Sequence, residues 1–158
     1  MRSASIAATL SCMAFLAGCD DPNAGGTAPQ SQADAASSMD IGDHVVHFSA
    51  QRTDQLPPEI ARLYNIVRSE NRAMLNVSVI SEETAKSVPA QVDVKTVNLT
   101  GQLKNINMRR IDEDDAIYYI GETPIANRET LVFDITVQPE GVGEPAQMRV
   151  KRQFFTDR

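Results

Sequence analysis

The amino-acid sequence predicts an all-β domain, an immunoglobulin-like sandwich of two antiparallel sheets with about seven strands and one short helix. Several segments alternate apolar and polar residues with the period of two that a half-buried strand requires. Turn-forming residues separate these segments at intervals of about ten residues. The chain of 158 residues has room for one such domain, which we place at residues 41–158. A closed barrel is the alternative architecture.

Residues 1–18 have the pattern of a bacterial lipoprotein signal peptide. Arg2 supplies a positive charge, an apolar run continues through Phe15, and Leu16-Ala17-Gly18-Cys19 resembles the lipobox at which such peptides are cleaved. We therefore expect a mature chain that begins at Cys19, with lipid on the cysteine sulfur and on the new amine. An ordinary signal peptide that contains a cysteine is the alternative.

Residues 19–40 are predicted to be the lipidated cysteine and a disordered tether. Met39 is the only large apolar residue from 20 to 40, so this segment cannot bury enough surface to offset the entropy of ordering. Asp20 and Asp21 follow the cysteine, where aspartate resembles the signal that retains enterobacterial lipoproteins at the inner membrane. We expect the domain on the periplasmic side of a membrane, with the inner membrane favoured over the outer one.

The first predicted strand, 44–49, is followed by a short helix at 57–64. Proline in the first turn and apolar residues along one side predict this helix: Pro57, Pro58, Ile60, Leu63 and Tyr64. A strand at 73–79 comes next, with Leu75, Val77 and Val79 directed to the core.

A hairpin is predicted around the turn 98–103, where Gly101 permits the positive φ of a tight turn. Its two strands are expected to place four apolar side chains on one face, those of Val92, Val94, Ile106 and Met108. The strand 117–120 is apolar on both faces and is therefore expected to be central.

The last predicted hairpin joins strands 131–137 and 146–154 through the turn residues 139–144. Pairing Asp134 with Arg149 places Ile135 opposite Met148 and gives both strands a consistent apolar face. A single register therefore places the apolar residues of both strands on the same face.

Four stretches together resemble a bacterial exported family of unknown function, of the DUF4426 type, and they are 71–79, 98–103, 115–122 and 153–156. The resemblance spans nearly all of 41–158. It implies an all-β envelope protein without an assigned activity, so no catalytic residue is carried over. The lipobox and the long tether depart from the plain signal peptides of the family.

The densest acidic cluster is predicted to be a solvated hairpin turn and a contact surface for a partner. It comprises Asp112, Glu113, Asp114 and Asp115. It lacks the glycine and the spaced ligands of a calcium loop, so we predict no metal site. Tyr118 and Tyr119 point to opposite faces of a strand, which would leave one ring for the core and the other for a partner.

Catalytic constellations are scarce in the sequence. His44 and His47 are an odd number of residues apart on one strand, so they cannot jointly bind a metal. Cys12 leaves with the signal peptide and Cys19 carries lipid, so the domain has no thiol for a disulfide, a metal site or a nucleophile. We expect no cofactor.

These observations predict a membrane-tethered, non-enzymatic module that binds an envelope protein or peptide. The alternative is a small-molecule-binding, glycan-binding or hydrolytic domain whose carboxylates, such as Glu122, Asp134 and the 112–115 cluster, come from distant parts of the chain. A formal net charge of -6 argues against a nucleic-acid partner.

Overall fold

The computed structural model describes residues 37–156. They belong to one compact unit, Ala33–Arg158. The predicted signal peptide, the lipidation at Cys19 and the sorting residues Asp20 and Asp21 lie outside the described residues. In the range 37–156, no helix is long and apolar enough to cross a membrane.

Two antiparallel sheets form the domain, which confirms the predicted β-sandwich. The first sheet has the order β1-β2-β3-β7-β6, with bounds Ser38–Ile41, His44–Arg52, Arg72–Ser81, Ile117–Pro124 and Arg109–Asp112. The second sheet has the order β5-β4-β8-β9, with bounds Leu103–Lys104, Ala90–Asn98, Glu129–Pro139 and Ala146–Phe154. The chain crosses between the sheets after β3, β5 and β7.

The main hydrophobic core lies between the two sheets. Alternate residues of the strands other than β5 and β6 enter it, and its fully buried members include Val46, Leu75, Val77, Leu131 and Phe133. The register of β8 with β9 is the predicted one, with Asp134 opposite Arg149 and Ile135 opposite Met148. The period-two pattern therefore identified both the strands and their pairing.

A second, smaller cluster covers part of the outer face of the first sheet. The predicted helix is confirmed as α1, Pro58–Leu63, with proline in its first turn. Leu56, Ala61 and Ile66, from α1 and its flanks, pack on Met74 of β3 and Ile120 of β7. The outer face of the second sheet has no such cover among residues 37–156.

The fold begins earlier than the sequence predicts. Ser38–Ile41 pairs with β2 as strand β1, so the predicted tether of 19–40 extends too far at its end. Met39 and Ile41 alternate with polar neighbours and pack against the main core. Four residues are too few to show a clear alternation in the sequence. Pairing with β2 provides the hydrogen-bond partners for the backbone of β1.

The predicted 98–103 hairpin is correct at its turn and wrong beyond it. β5 contains two residues, with Leu103 opposite Val97, and the chain then crosses to the first sheet. Ile106 and Met108 lie in this crossing and pack against the main core. Gly121 makes room for them, because a Cβ there would lie 2.5 Å from Met108 Sδ and 2.6 Å from Ile106 Cγ1. Residues 37–156 therefore contain nine strands, where the sequence predicts about seven. β1 is additional, and β5 and β6 are separate strands in place of one.

Candidate functional site

The acidic cluster forms the turn between β6 and β7, as predicted. The amide of Glu113 donates to the carbonyl of Ala116 at 2.8 Å, and Asp114 and Asp115 are exposed. Asp112 accepts a hydrogen bond from the Arg110 guanidinium at 2.5 Å. In this turn Asp112 and Glu113 accept hydrogen bonds from other side chains, and Asp114 and Asp115 are directed to solvent.

Glu113 also connects this turn to the end of α1. The Tyr64 hydroxyl donates a hydrogen bond to Glu113 Oε1 at 2.5 Å, and the Arg109 guanidinium donates to the Tyr64 carbonyl. The hydrogen bond to Glu113, and then burial, raise the pKa of Tyr64 to about 12. Tyr64 therefore remains a neutral donor at physiological pH.

The two adjacent tyrosines have different surroundings. Tyr119 is 6% exposed, and its hydroxyl accepts a hydrogen bond from the Ala90 amide at 2.7 Å, which connects β7 to β4 in the opposite sheet. Tyr119 is therefore removed from the predicted contact surface. Tyr118 is half-buried against the small cluster under α1 and keeps part of its ring at the surface.

The carboxylates of the alternative, enzymatic interpretation do not converge. Glu122 lies on the first sheet, 3.5 Å from Arg72, whereas Asp134 lies on the second sheet. Asp112–Asp115 occupies the β6–β7 turn. Across residues 37–156, no three His, Cys, Asp or Glu residues form a group that could hold a metal ion.

The bare face of the second sheet carries a row of alternating charge. Lys95, Asp134 and Arg149 are cross-strand neighbours on β4, β8 and β9, and Arg149 Nε lies 2.5 Å from Asp134 Oδ1. The hydrogen bond from Arg149 lowers the pKa of Asp134. Together with Asp93 this row lines an open depression of about 490 Å³.

The two histidines lie on β2 and an odd number of residues apart, as predicted. His47 is exposed, whereas His44 is half-buried, and its Nδ1 atom is buried without a hydrogen-bond partner among the described residues. They do not form a pair.

A groove between the two sheets was missed by sequence reasoning. β2 has β1 beside it only as far as His47, opposite Ser38, so residues 49–51 have β3 on one side and no described strand on the other. β9 has β8 on one side and likewise no described neighbour on the other. We name the groove between these two edges the β2–β9 seam.

The seam has an apolar floor and a polar rim. Phe48, Ala50 and Val150 line it from both sheets, with Ser49 and Lys151 exposed beside them, and its volume is about 310 Å³. No sequence signal marks it, because which strands lie at sheet edges depends on the topology of the whole chain.

Comparison with known proteins supports the family resemblance. No curated protein matches the chain. A crystal structure of a DUF4426 family protein from Pseudomonas aeruginosa PAO1 is 31% identical, with a TM-score of 0.66, and the match covers 77% of this chain and 95% of that one. The model of the family described as a domain of unknown function, DUF4426, matches residues 38–157. The chain therefore belongs to the DUF4426 family.

Proposed function

We propose that this protein is a lipid-anchored, non-enzymatic periplasmic module that binds an extended segment of another envelope protein in the β2–β9 seam. The observation that carries the proposal is the pair of strand edges that face each other across an apolar floor. The exposed part of the β6–β7 turn, with Asp114, Asp115 and Tyr118, is a secondary contact surface in this proposal.

An unpaired strand edge binds extended peptides through main-chain hydrogen bonds, and the side-chain pockets beside it provide specificity. In the seam, a peptide strand would find the backbone groups of Ala50, which point away from β3, and those of alternate β9 residues, none of which has a described strand beside it. Its alternate side chains would contact Phe48 and Val150, each 8% exposed. Lys151, on the rim, favours an acidic residue in the peptide.

Lipid at Cys19 would support this binding without adding any contact. A module that is confined to the membrane surface meets other membrane-bound proteins at a raised effective concentration. A modest affinity for a short strand is then sufficient.

Site-specific photo-crosslinking in living cells tests the seam. We expect a photoreactive amino acid at Ser49 and one at Lys151 to capture the same envelope protein, because both positions are exposed on the rim. The matched control is Glu83, an exposed position in the loop after β3, which should capture nothing in common with them. The captured protein, once identified, should be displaced by a synthetic peptide of its crosslinked segment.

Two results would contradict the proposal. One is the absence of a common product at Ser49 and Lys151, and the other is a product that the peptide does not displace. A hydrolytic activity of the purified domain that is lost on a single carboxylate substitution would contradict the non-enzymatic part.

The depression on the second sheet favours binding of a small polar molecule or glycan as the second candidate. Its side chains offer hydrogen-bond donors and acceptors to hydroxyl groups, and its carboxylate Asp134 has a lowered pKa, which does not suit a general acid. Titration of soluble peptidoglycan fragments, followed by NMR shifts of Asp93 and Arg149, distinguishes this candidate from the seam.

A further inference from the structure

Charge is distributed unequally between the two ends of the sandwich. We name one end the acidic end, formed by the connections 42–43, 82–89, 112–116 and 140–145. Three of them are adjacent, since the Glu82 amide donates to the Asp43 carbonyl and the Glu140 amide to the Pro89 carbonyl, both at 2.9 Å. The connection 112–116 lies at the same end, because it precedes β7, which runs antiparallel to β3. The four connections contain nine carboxylates and one basic residue, Lys86.

The opposite end, which we name the apolar end, is formed by residues 52–56, 65–72, 98–104, 122–129 and 155–156. Hydrogen bonds join these segments: the Ile125 amide donates to the Asn71 carbonyl at 3.0 Å, and the Thr156 amide to Asn127 Oδ1 at 3.1 Å. The Arg52 guanidinium donates to the Phe155 carbonyl. The Asn98 side chain donates to Glu129 Oε1 at 2.9 Å, which joins 98–104 to 122–129. The five segments are therefore connected to one another.

The apolar end carries most of the large hydrophobic side chains that the described residues leave in solvent. Of five such residues, Leu63 lies on α1 and the other four lie at this end, with 47–76% of their surface exposed: Val67, Leu99, Leu103 and Phe155. Scattered exposed apolar residues need no explanation, but a group at one end of a domain marks an interaction surface.

Positive charge accompanies these apolar residues. Three carboxylates of the apolar end are neutralised by ion pairs within it: Asp54 with Arg52, Glu122 with Arg72, and Glu129 with Lys104. Arg68 and Arg128 are exposed and have no carboxylate partner in residues 37–156, against one exposed carboxylate, Glu70.

The direction of β1 places the entry of the chain toward this same end. Ser38 lies opposite His47 and Ile41 opposite His44, so the backbone traced backward from Ile41 advances toward the end of β2 at Arg52. The described chain therefore begins beside Phe48, whose amide donates to the Ser37 carbonyl, and its backbone traced backward from Ile41 is directed toward the apolar end.

We infer that the apolar end docks on an anionic membrane surface, with its four exposed apolar side chains among the lipid headgroups and the acidic end directed away. The occupant follows from three agreeing observations: exposed apolar groups, two arginines at that end without a carboxylate partner in residues 37–156, and the direction of β1 toward it. Arg68 donates a hydrogen bond to the Asp54 carbonyl, which leaves its positive charge without a counter-charge in that range. Anionic lipids attract Lys and Arg near the surface and repel carboxylates. The inference rests on the proposed membrane anchor for its biological setting, whereas the affinity for lipid belongs to the domain alone.

Vesicle co-sedimentation of residues 33–158 tests the inference without any lipid anchor. This unit contains both hydrophobic clusters, and the crystallised relative consists almost entirely of the same domain. We expect binding to vesicles that contain phosphatidylglycerol, little binding to pure phosphatidylcholine, and release at high salt. Arg68→Gln with Arg128→Gln should lower the partition coefficient about 25-fold, from about fivefold for each charge near the surface.

Leu99→Ser with Leu103→Ser provides an independent variant, because both side chains are exposed and their loss leaves the core intact. It should weaken binding to anionic vesicles by the same factor at every salt concentration at which binding is still measurable. The matched control is Lys86→Gln, which removes one positive charge at the acidic end and should leave the partition coefficient unchanged.

The inference is overturned if anionic vesicles do not bind the domain, or if both variant pairs bind as the unsubstituted domain does. It is overturned equally if the variants keep their lipid affinity and lose a crosslinked acidic protein, which would make the apolar end a protein-binding surface. Crosslinking from Ser49 and Lys151 reports on the seam separately, so the failure of either idea can be distinguished from that of the other.

Discussion

Glu129 joins two segments of the apolar end, 98–104 and 122–129. Its carboxylate accepts hydrogen bonds from Lys104 Nζ at 3.0 Å, from Asn98 Nδ2 at 2.9 Å and from the Ala126 amide at 2.8 Å. Burial raises the pKa of Glu129, but the bonds from Lys104, Asn98 and Ala126 outweigh it and leave the pKa below its ordinary value. The folded state therefore favours the ionised carboxylate.

We expect Glu129→Gln to lower the free energy of unfolding by about 1–3 kcal/mol at pH 7, since it leaves Lys104 partly buried without its counter-charge. Because the folded pKa lies below the unfolded one, this contribution is complete above the unfolded value near 4.5 and is lost as pH falls through the folded pKa. Urea unfolding of both proteins at pH values from about 7 down to about 3 measures the difference.

Asp134→Asn is the matched control, because it removes a carboxylate from an ion pair whose side chains are 67% and 39% exposed. Solvent screens such a pair, so its loss should lower the free energy of unfolding at pH 7 far less than Glu129→Gln does. Equal destabilisation by the two substitutions would contradict the role given to Glu129.

The sequence predicted the contact between Asp134 and Arg149, but not the contacts of Glu129. Asp134 and Arg149 are cross-strand neighbours, and the period of two in both strands determines which residues can be opposite. Glu129 depends on a turn, a crossing and the start of β8 being adjacent, which no local pattern specifies. For the same reason the pattern placed Tyr118 and Tyr119 on opposite faces without indicating which one is buried.

At the scale of elements, the crossing from β5 to β6 depends on the absence of a side chain at Gly121. Ile106 and Met108 occupy the space that a Cβ at this position would need. They bring apolar groups from an irregular segment into the core between the sheets. The crossing segment therefore contributes to the packing of the main hydrophobic core.

We expect Gly121→Ala to destabilise the domain by about 1–3 kcal/mol, because the added methyl group forces two packed side chains to move. Thermal unfolding followed by circular dichroism measures the effect. Gly143→Ala is the control, since Gly143 has no atom within 4 Å of an added Cβ and no left-handed backbone angle. An unchanged midpoint for Gly121→Ala would mean that Ile106 and Met108 move aside without cost.

Strand patterns and turn residues predicted most elements, and the two errors have physical causes. Ile106 and Met108 keep the alternation of the preceding strand, so periodicity alone cannot distinguish a crossing from a continued hairpin. β1 follows a polar segment, and only Met39 and Ile41 indicate it. In both cases the contacts that determine the structure are distant in sequence.

At the scale of the whole domain, residues 37–156 combine one sheet face covered by α1, one charged face that no described element covers and an open seam between edges. The two-sheet architecture was predictable, because alternating strands in a chain of this length must pair their apolar faces. The seam and the two unlike ends were not, because they arise from strand order and from which loops share an end. The proposed peptide-binding and lipid-binding surfaces could therefore be located only in the three-dimensional structure.

We expect Cys19→Ala to move the full-length protein from the detergent phase to the fraction that salt extracts from envelope membranes. Without acyl chains, only the weak lipid contact of the apolar end would remain, and salt screens its electrostatic part. Fractionation with Triton X-114 and with salt, followed by immunoblotting, measures the change.

Cys12→Ala is the matched control, because Cys12 lies within the predicted signal peptide and should leave the anchored fraction unchanged. Detergent partitioning that is the same for Cys19→Ala and the unsubstituted protein would refute the lipoprotein prediction.

The four-residue strand β1 determines how the fold would respond to mechanical tension on its anchor. A pull on the N-terminal segment enters at Ser37, whose carbonyl accepts a hydrogen bond from the Phe48 amide, and acts on the four pairs of β1 with β2, from Ser38–His47 to Ile41–His44. β1 has only this one neighbour among the described strands, so it would detach while β2 remains held by nine pairs to β3. Stretching between the membrane and a bound partner would thus lengthen the tether by a few residues and extend the exposed edge of β2 before the core yields.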